Sequence, residues 1–302
     1  MRNRFSKKIH EIFEKQNNLM FLTGDLGYNA LENIQETFPN RFLNAGVAEQ
    51  NMVGVAAGLA YEGKSVFIYS IAPFIVFRCL EQIKLDICIH NHPVFIVGNG
   101  GGYGYGIMGA THHAIEDIAC LSPLPNIICW VPSFIEDVDY CIEQIIERKG
   151  PAYLRLGLGI SYPNKIEIGR INQIVKATEE LKITIISQGP IVKSILSAME
   201  GLSGIDLFTI LTVPLTSINE NLLTSIKASR KVLIIEEHVE RGGLAEHLII
   251  QLVKMNLGAI QYETLSAKGY PSKTYGNQEF HLQESGLDSN NIKQVVTKLL
   301  NQ

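Results

Sequence analysis

Short runs of β-branched and aromatic residues alternate with longer helical patterns, and this alternation constrains the fold more than any other feature of the chain. "LMFLTG", "SVFIYS", "PVFIVG", "IICWVP" and "AYLRLG" read as strands. Between them, "EQNMVGVAAGLAYEG", "FRCLEQIKLDICIHN", "IEDIACLS" and "IEDVDYCIEQIIER" carry helical spacing. The repetition predicts βαβ units on a mostly parallel sheet over residues 1–160. From 161 to 178 the rhythm lapses into Gly, Pro and Asn, as expected of a linker. It resumes with the strands "KITIISQGP", "IDLFTIL" and "KVLIIEEH" and the helices "IVKSILSAMEGL" and "GGLAEHLIIQLVKMN", with a further helix from about 219. A second, smaller α/β domain is therefore expected over 179–302.

The 302 residues, 46% of them hydrophobic, can supply a core for each domain. A net charge of -4 without a basic run argues against a nucleic-acid partner, whose phosphates need clustered Lys and Arg. The most apolar stretch, "VFIYSIAPFIVF", is too short to span a membrane and suits a core or a pocket wall. "MRNRFSKKIHEIFEKQ" has no apolar run behind its charges, so it is not expected to be a secretory signal. The five cysteines include no CxxC and sit mostly among apolar neighbours, as buried reduced thiols of a cytoplasmic protein would.

Two stretches stand out chemically. "VGNGGGYGYGIMGATHHAIED", residues 97–117, sets seven glycines ahead of two histidines and two acids. Gly104–Gly109 satisfies GxGxxG, but its first glycine lies seven residues beyond Val97, too far from the strand end for a dinucleotide turn. If a helix begins at "ATHHAIEDIA", His112 and Glu116, like His113 and Asp117, stack at i,i+4. A metal would need a third ligand that the segment does not supply. The alternative makes Thr111 a helix cap and the two acids solvated members of a first turn. Glycines at this density lead to the expectation of a close approach to a ligand or another chain.

In the second stretch, "RFLNAGVAEQNMVGVAAGLAYEG", Glu49 opens a helix built of Gly54, Val55, Ala56, Ala57, Gly58, Leu59 and Ala60. Such small residues let another backbone pack closely. Glu49 reads either as an acid answering the helix dipole or as a carboxylate that exchanges a proton with a ligand nitrogen at an apolar interface.

In order and approximate spacing, "TGDLG", "FLNAGVAEQNMVGVAAGLA", "YSIAPFIVFRCLEQI", "HPVFIVGNGGG", "GATHHAIEDIA", "LPNIICWVP" and "GPAYLRLG" resemble the pyrimidine-binding domain of transketolase and deoxyxylulose-5-phosphate synthase. "KITIISQGP" and "LIIEEHVERGGLAEHL" resemble the C-terminal domain of the same enzymes. The resemblance implies an active site between chains, with thiamine diphosphate bound by its pyrimidine here and by its diphosphate and Mg²⁺ on a domain carrying GDGxxxN. No GDG occurs in this sequence. The chain thus looks like the C-terminal half of a split transketolase, with the metal ligands on a separate diphosphate-binding subunit and a likeness to α₂β₂ assemblies.

By the same resemblance, Glu49 matches the glutamate that hydrogen-bonds the pyrimidine N1′ and promotes the tautomer that deprotonates the thiazolium. Phe74 and Phe77 match aromatic positions beside that ring, and Asp25 matches an aspartate at the cofactor's edge. His112 matches the histidine of "GPTH", which reaches the sugar hydroxyls and serves in proton transfer, with the glycines letting the loop wrap the substrate funnel. His113, Arg78 and Arg155 are further candidates for substrate contact. Met108 stands where transketolase has a sugar-recognising aspartate, and Leu158 where deoxyxylulose-5-phosphate synthase has an arginine. Losing a bidentate anchor weakens the expectation of an ordinary pentose phosphate. The expected reaction is transfer of a two-carbon ketol unit to or from an unusual sugar, such as one made for a surface polysaccharide. The alternatives are a 2-oxo acid dehydrogenase β-type subunit, disfavoured by "GATHHAIED", and a non-catalytic structural subunit, against which Glu49 speaks.

Overall fold

"MRNRFSKKIHEIFEKQ" forms α1 (Arg2–Lys15) in a computed structural model that describes residues 1–302. Phe5, Ile9, Ile12 and Phe13 make its buried stripe, at the spacing that one helical face requires. Phe5 packs on Phe21, Phe67 and Tyr69, so this segment covers one face of a sheet.

That sheet contains β1 (Leu19–Thr23), β2 (Phe42–Asn44), β3 (Ser65–Ile71), β4 (Val94–Asn99), β5 (Ile128–Trp130) and β6 (Ala152–Leu156). Its helices are α2 (Glu32–Thr37), α3 (Glu49–Tyr61), α4 (Ala72–Val76), α5 (Leu80–Gln82), α6 (Asp117–Leu121) and α7 (Asp137–Arg148). The second sheet contains β7 (Ile171–Val175), β8 (Ile183–Gln188), β9 (Ile205–Ile210), β11 (Lys231–Glu236) and β12 (Gln261–Leu265). Between β9 and β11 in the chain lies the two-residue β10 (Thr212–Val213). The helices of this half are α8 (Val192–Met199), α9 (Glu220–Ser229), α10 (Leu244–Lys254), α11 (Gln278–Ser285) and α12 (Ser289–Leu300).

The sheet orders are β10-β5-β6-β4-β3-β1-β2 and β12-β11-β8-β9-β7. All pairings are parallel except β10 with β5 and β7 with β9. The chain is a mixed α/β protein, as its alternation predicts. Strands β4, β6 and β8 are buried nearly throughout, as parallel strands covered on both faces must be.

Three details depart from the sequence reading. Residues 171–175, inside the expected linker, add an antiparallel edge strand to the second sheet. Thr212 and Val213 pair with Trp130 and Cys129, so the second half contributes a strand to the first sheet. "FRCLEQIKLDICIHN" is not one regular helix: α5 runs directly into a π-helical stretch, Ile83–Cys88. All five cysteines are free, and four are fully buried. No helix is long and apolar enough to cross a membrane.

Candidate active site

Parallel sheets place the C-terminal ends of their strands along one edge, where loops can converge. β1 leads into Gly24 and Asp25, β3 ends beside α4, and β4 opens the glycine loop. These three neighbouring strands assemble a cluster around Glu49 at the start of α3.

Glu49 is only 2% exposed. Its Oε1 accepts a hydrogen bond from Ser70 Oγ at 3.2 Å, and its Oε2 accepts one from Arg78 Nη1 at 2.9 Å. A Cβ on Gly24 would stand 3.5 Å from Glu49 Cγ, so the β1 turn closes the site from one side. The Arg78 guanidinium lies over the Phe74 ring, 4.4 Å from its centroid. The His112 ring meets Phe74 edge to face at 5.0 Å and approaches Tyr105 at 5.8 Å. His112 Nδ1 lies 2.9 Å from Thr111 Oγ1. A buried carboxylate, a guanidinium, an aromatic ring and an imidazole are thus joined from segments 63 residues apart in sequence.

The other candidates divide. Asp25 is exposed at the neighbouring turn, where its Oδ1 accepts from Asn44 Nδ2 at 2.8 Å. Its φ of 58° belongs to the left-handed region, held by a second bond from its own N–H to Asn44 Oδ1. Phe77 follows α4 and is 39% exposed, leaving part of its ring open to a ligand.

His113 and Arg155 do not join the cluster. His113 is buried: its Nε2 lies 2.7 Å from Gly106 O and therefore carries the proton it donates, so Nδ1 accepts from the Tyr270 hydroxyl at 3.0 Å. Burial pushes this imidazole down to about 4, keeping it neutral with both nitrogens engaged. Arg155 is 5% exposed and donates to the carbonyls of Ala114 and Glu237. Its Nε stands 3.1 Å from Asp117 Oδ2 as an ion pair, though not aligned for a hydrogen bond. With its donors turned into the protein, Arg155 is not free to hold a substrate.

The helix expected at "ATHHAIEDIA" starts only at Asp117, so the i,i+4 stacking of histidines and acids does not form. Thr111 caps nothing, and Asp117 is not solvated: it is fully buried, with Tyr153 donating to its Oδ2 at 2.6 Å. No three His, Cys, Asp or Glu side chains converge as metal ligands.

The structure also gives two of the glycines a packing role. Gly102 has φ +65°, and a Cβ there would lie 2.5 Å from the Glu237 carboxyl carbon. Gly106 has φ +46° and would press a Cβ within 3.0 Å of the Asn277 backbone. Side chains at these positions would separate the loop from the second half of the chain. The loop is packed between the two halves, with Tyr103 N–H donating to Glu237 Oε1 at 2.8 Å.

Sequence reasoning missed Ser70 and Tyr105 as members of the site. Ser70 is signalled by being the polar residue within "VFIYSIAPFIVF". Nothing local distinguishes Tyr105 from Tyr103, and they face different parts of the molecule.

Residues 1–158 match the family model described as "Transketolase, pyrimidine binding domain". The chain is 32% identical over 277 residues to one subunit of the apulose-4-phosphate transketolase of Actinobacillus succinogenes, covering 87% of this chain and 86% of that one. It is 29% identical over 282 residues to the 1-deoxy-D-xylulose-5-phosphate synthase of Clostridium perfringens, covering 89% of this chain and 44% of the longer protein. Among solved structures, a split gene transketolase described as an inactive beta4 tetramer is similar at a TM-score of 0.83 and 27% identity, covering 99% of this chain and 98% of that one. Family match, fold and length agree: the chain belongs to the transketolase family and corresponds to the C-terminal, pyrimidine-binding subunit of a split, thiamine-diphosphate-dependent transketolase.

Proposed function

We propose that this chain supplies the pyrimidine side of a transketolase-type active site, which transfers a two-carbon ketol unit between sugars when a separate diphosphate-binding subunit completes it. The observation that carries this reading is the convergence of Glu49, Arg78, Phe74 and His112. The donor set fits an aminopyrimidine. Glu49 uses two of its roughly four acceptor positions on Ser70 and Arg78, so a ring nitrogen can still share a proton with it. Access to Oε2 requires the half-exposed Arg78 guanidinium to shift off the carboxylate.

Thiamine diphosphate, when bound, supplies the carbon nucleophile and the electron sink for cleavage beside a ketose carbonyl. Glu49 would hold or pass a proton at the pyrimidine nitrogen, and Phe74, the exposed part of Phe77 and Asp25 would hold the ring. His112 is placed to exchange a proton with a sugar hydroxyl, a role that an imidazole, able to donate and to accept, can fill. Mg²⁺ and the diphosphate belong to the partner.

The partner reading is supported by α3, whose Gly54 and Gly58 face open space, flanked by exposed Val47 and Tyr61. We assign residues 1–160 to the pyrimidine domain, 161–178 to the connection, whose residues 171–175 join the second sheet as β7, and 179–302 to the C-terminal domain, in an α₂β₂ assembly located in the cytoplasm. The sugar is an unusual one: Met108 is exposed on the loop, Leu158 is exposed after β6, and Arg155 is unavailable as an anchor. The naming of the Actinobacillus relative for apulose 4-phosphate supports a substrate outside the common pentose phosphates, of which sugars destined for surface polysaccharide are one class.

The test is ketol transfer from a ketose donor to a panel of aldoses, by the chain alone and by the chain co-expressed with a diphosphate-domain subunit, with thiamine diphosphate and Mg²⁺. The pair is expected to turn over and the lone chain is not. Turnover by the lone chain, or an inactive pair that nevertheless assembles, overturns the proposal.

A further inference from the structure

A group of rings joins the glycine loop to the second half of the chain, and the reaction proposed above uses none of them. Tyr103 and His113 come from the loop, and Tyr270, Tyr275 and His281 from the segment around α11. The His113 ring stacks on Tyr270 at 5.7 Å and meets Tyr103 and His281 edge to face at 5.3 and 4.8 Å. Its two nitrogens are fixed by Gly106 O and the Tyr270 hydroxyl.

The residue before it faces the other way. His112 and His113 both donate their backbone N–H to Gly109 O, at 2.9 and 3.1 Å, so they share one tight turn. One ring points into the second half, and the other meets Phe74 beside Glu49. A planar peptide bond links the two residues, so rotation of the turn that frees one ring also moves the other. Gly106 and Gly109, to which this turn is bonded, themselves lie against Asn277 and the Tyr275 ring.

We propose that His113 is a positioning residue: latched by Gly106 and by Tyr270, it sets the His112 imidazole against Phe74 at the sugar end of the site. The second half of the chain thus acts on the chemistry without touching substrate. This rests on the transketolase reading for its effect on turnover, but not for its effect on His112 geometry.

The experiment compares wild type, Tyr270→Phe and Tyr103→Phe in the reconstituted pair with thiamine diphosphate and Mg²⁺. Tyr270→Phe keeps the ring and removes the hydroxyl that His113 accepts from. Tyr103→Phe removes the bonds to Gly269 O and Ser285 within the same ring group and leaves the latch whole. Ketol-transfer kinetics are read beside the ¹³C-histidine NMR signal of His112, assigned with His112→Gln. Displacing a proton-transfer group by a fraction of an ångström to an ångström is expected to lower kcat about tenfold in Tyr270→Phe, with KM for the ketose and cofactor affinity within about twofold of wild type. The His112 signal is expected to broaden or split in that variant. Tyr103→Phe is expected to keep both kcat and the His112 signal.

An unchanged kcat and His112 signal in Tyr270→Phe overturn the proposal, as does a fall in kcat with an unchanged signal. Equal losses in Tyr103→Phe overturn it too, because they reduce the effect to general packing. If the wild-type pair transfers no ketol unit, the functional reading fails by itself. The NMR comparison then still decides whether the latch orients His112.

Discussion

Removing Arg155 is expected to cost several kcal/mol, and removing its partner together with it much less than the sum of the two. The guanidinium is 5% exposed and Asp117 is fully buried, with 3.1 Å between Nε and Oδ2. Arg155→Met leaves the Asp117 carboxylate in the protein interior with only the Tyr153 hydroxyl on it and strips the carbonyls of Ala114 and Glu237 of a donor. Breaking one side of such a buried pair typically costs about 3–5 kcal/mol, most of it the uncompensated charge. With a urea slope near 3 kcal/mol/M, the unfolding midpoint falls by about 1–2 M. Asp117→Asn strands the positive charge and is expected to fall by a similar amount. Asp117→Asn with Arg155→Met buries no net charge, so the double variant is expected to recover about 1–3 kcal/mol relative to additivity. The buried Trp130, the chain's single tryptophan, reports unfolding of the first sheet by fluorescence. A midpoint shift below about 0.3 M for Arg155→Met, or strictly additive singles, refutes the view that Arg155 is a structural cation rather than a substrate anchor.

Gly102→Ala forces a Cβ against the Glu237 carboxyl group at a φ of +65° and displaces the acceptor of Tyr103 N–H. A loss of about 2–4 kcal/mol is expected from strain and the charged hydrogen bond together, and a change under about 0.5 kcal/mol in urea unfolding contradicts the packed-loop account. Glu236 is buried with its oxygens on the N–H groups of Leu244 and Ala245, and burial pushes its carboxyl up to about 7. Its folded-state value lies above the ordinary carboxylate value, so the native chain holds this proton more tightly. The contribution is complete below about pH 4.5 and is lost as pH rises toward about 7, on the order of 3 kcal/mol. Glu236→Gln should therefore gain stability relative to wild type between pH 5 and pH 8. A pH-independent difference in urea midpoint removes Glu236 from the balance.

Much of the fold was legible because its determinants are local. Apolar runs such as "SVFIYS" and "PVFIVG" are long enough to declare strands buried on both faces, and they became β3 and β4. Glu49 was legible for a related reason: an acid ahead of a run of small residues is visible without knowing what packs on it. The packing role of Gly102, Gly106 and Gly109 was not legible because the atoms that crowd them belong to Glu237, Asn277 and Tyr275, more than 125 residues downstream. The resemblance pointed to His112 and left open whether His113 folds back into the structure, because nothing near the pair in sequence decides it. Only Tyr270, reached through the fold, turns His113 away from His112. Strands β7 and β10 escaped because each is defined by pairing rather than by its own residues. β10 is two residues long, and β7 is an edge with alternate positions half-exposed. Arg155 was a candidate only through the resemblance, and its pairing with Asp117 was out of reach because it joins β6 to the start of α6 across the fold, where Asp117 is fully buried.

The most direct test of the central claim, that Glu49 in this chain meets the pyrimidine of thiamine diphosphate in a site completed by a second subunit, is a calorimetric titration of thiamine diphosphate and Mg²⁺, with ketol-transfer turnover measured on the same samples: the chain alone, the assembled pair, and the assembled pair carrying Glu49→Ala. Saturable binding by the pair alone, with turnover lost in the Glu49→Ala pair although it still assembles, is the predicted result. Binding of equal strength by the lone chain, or normal turnover by Glu49→Ala, contradicts it.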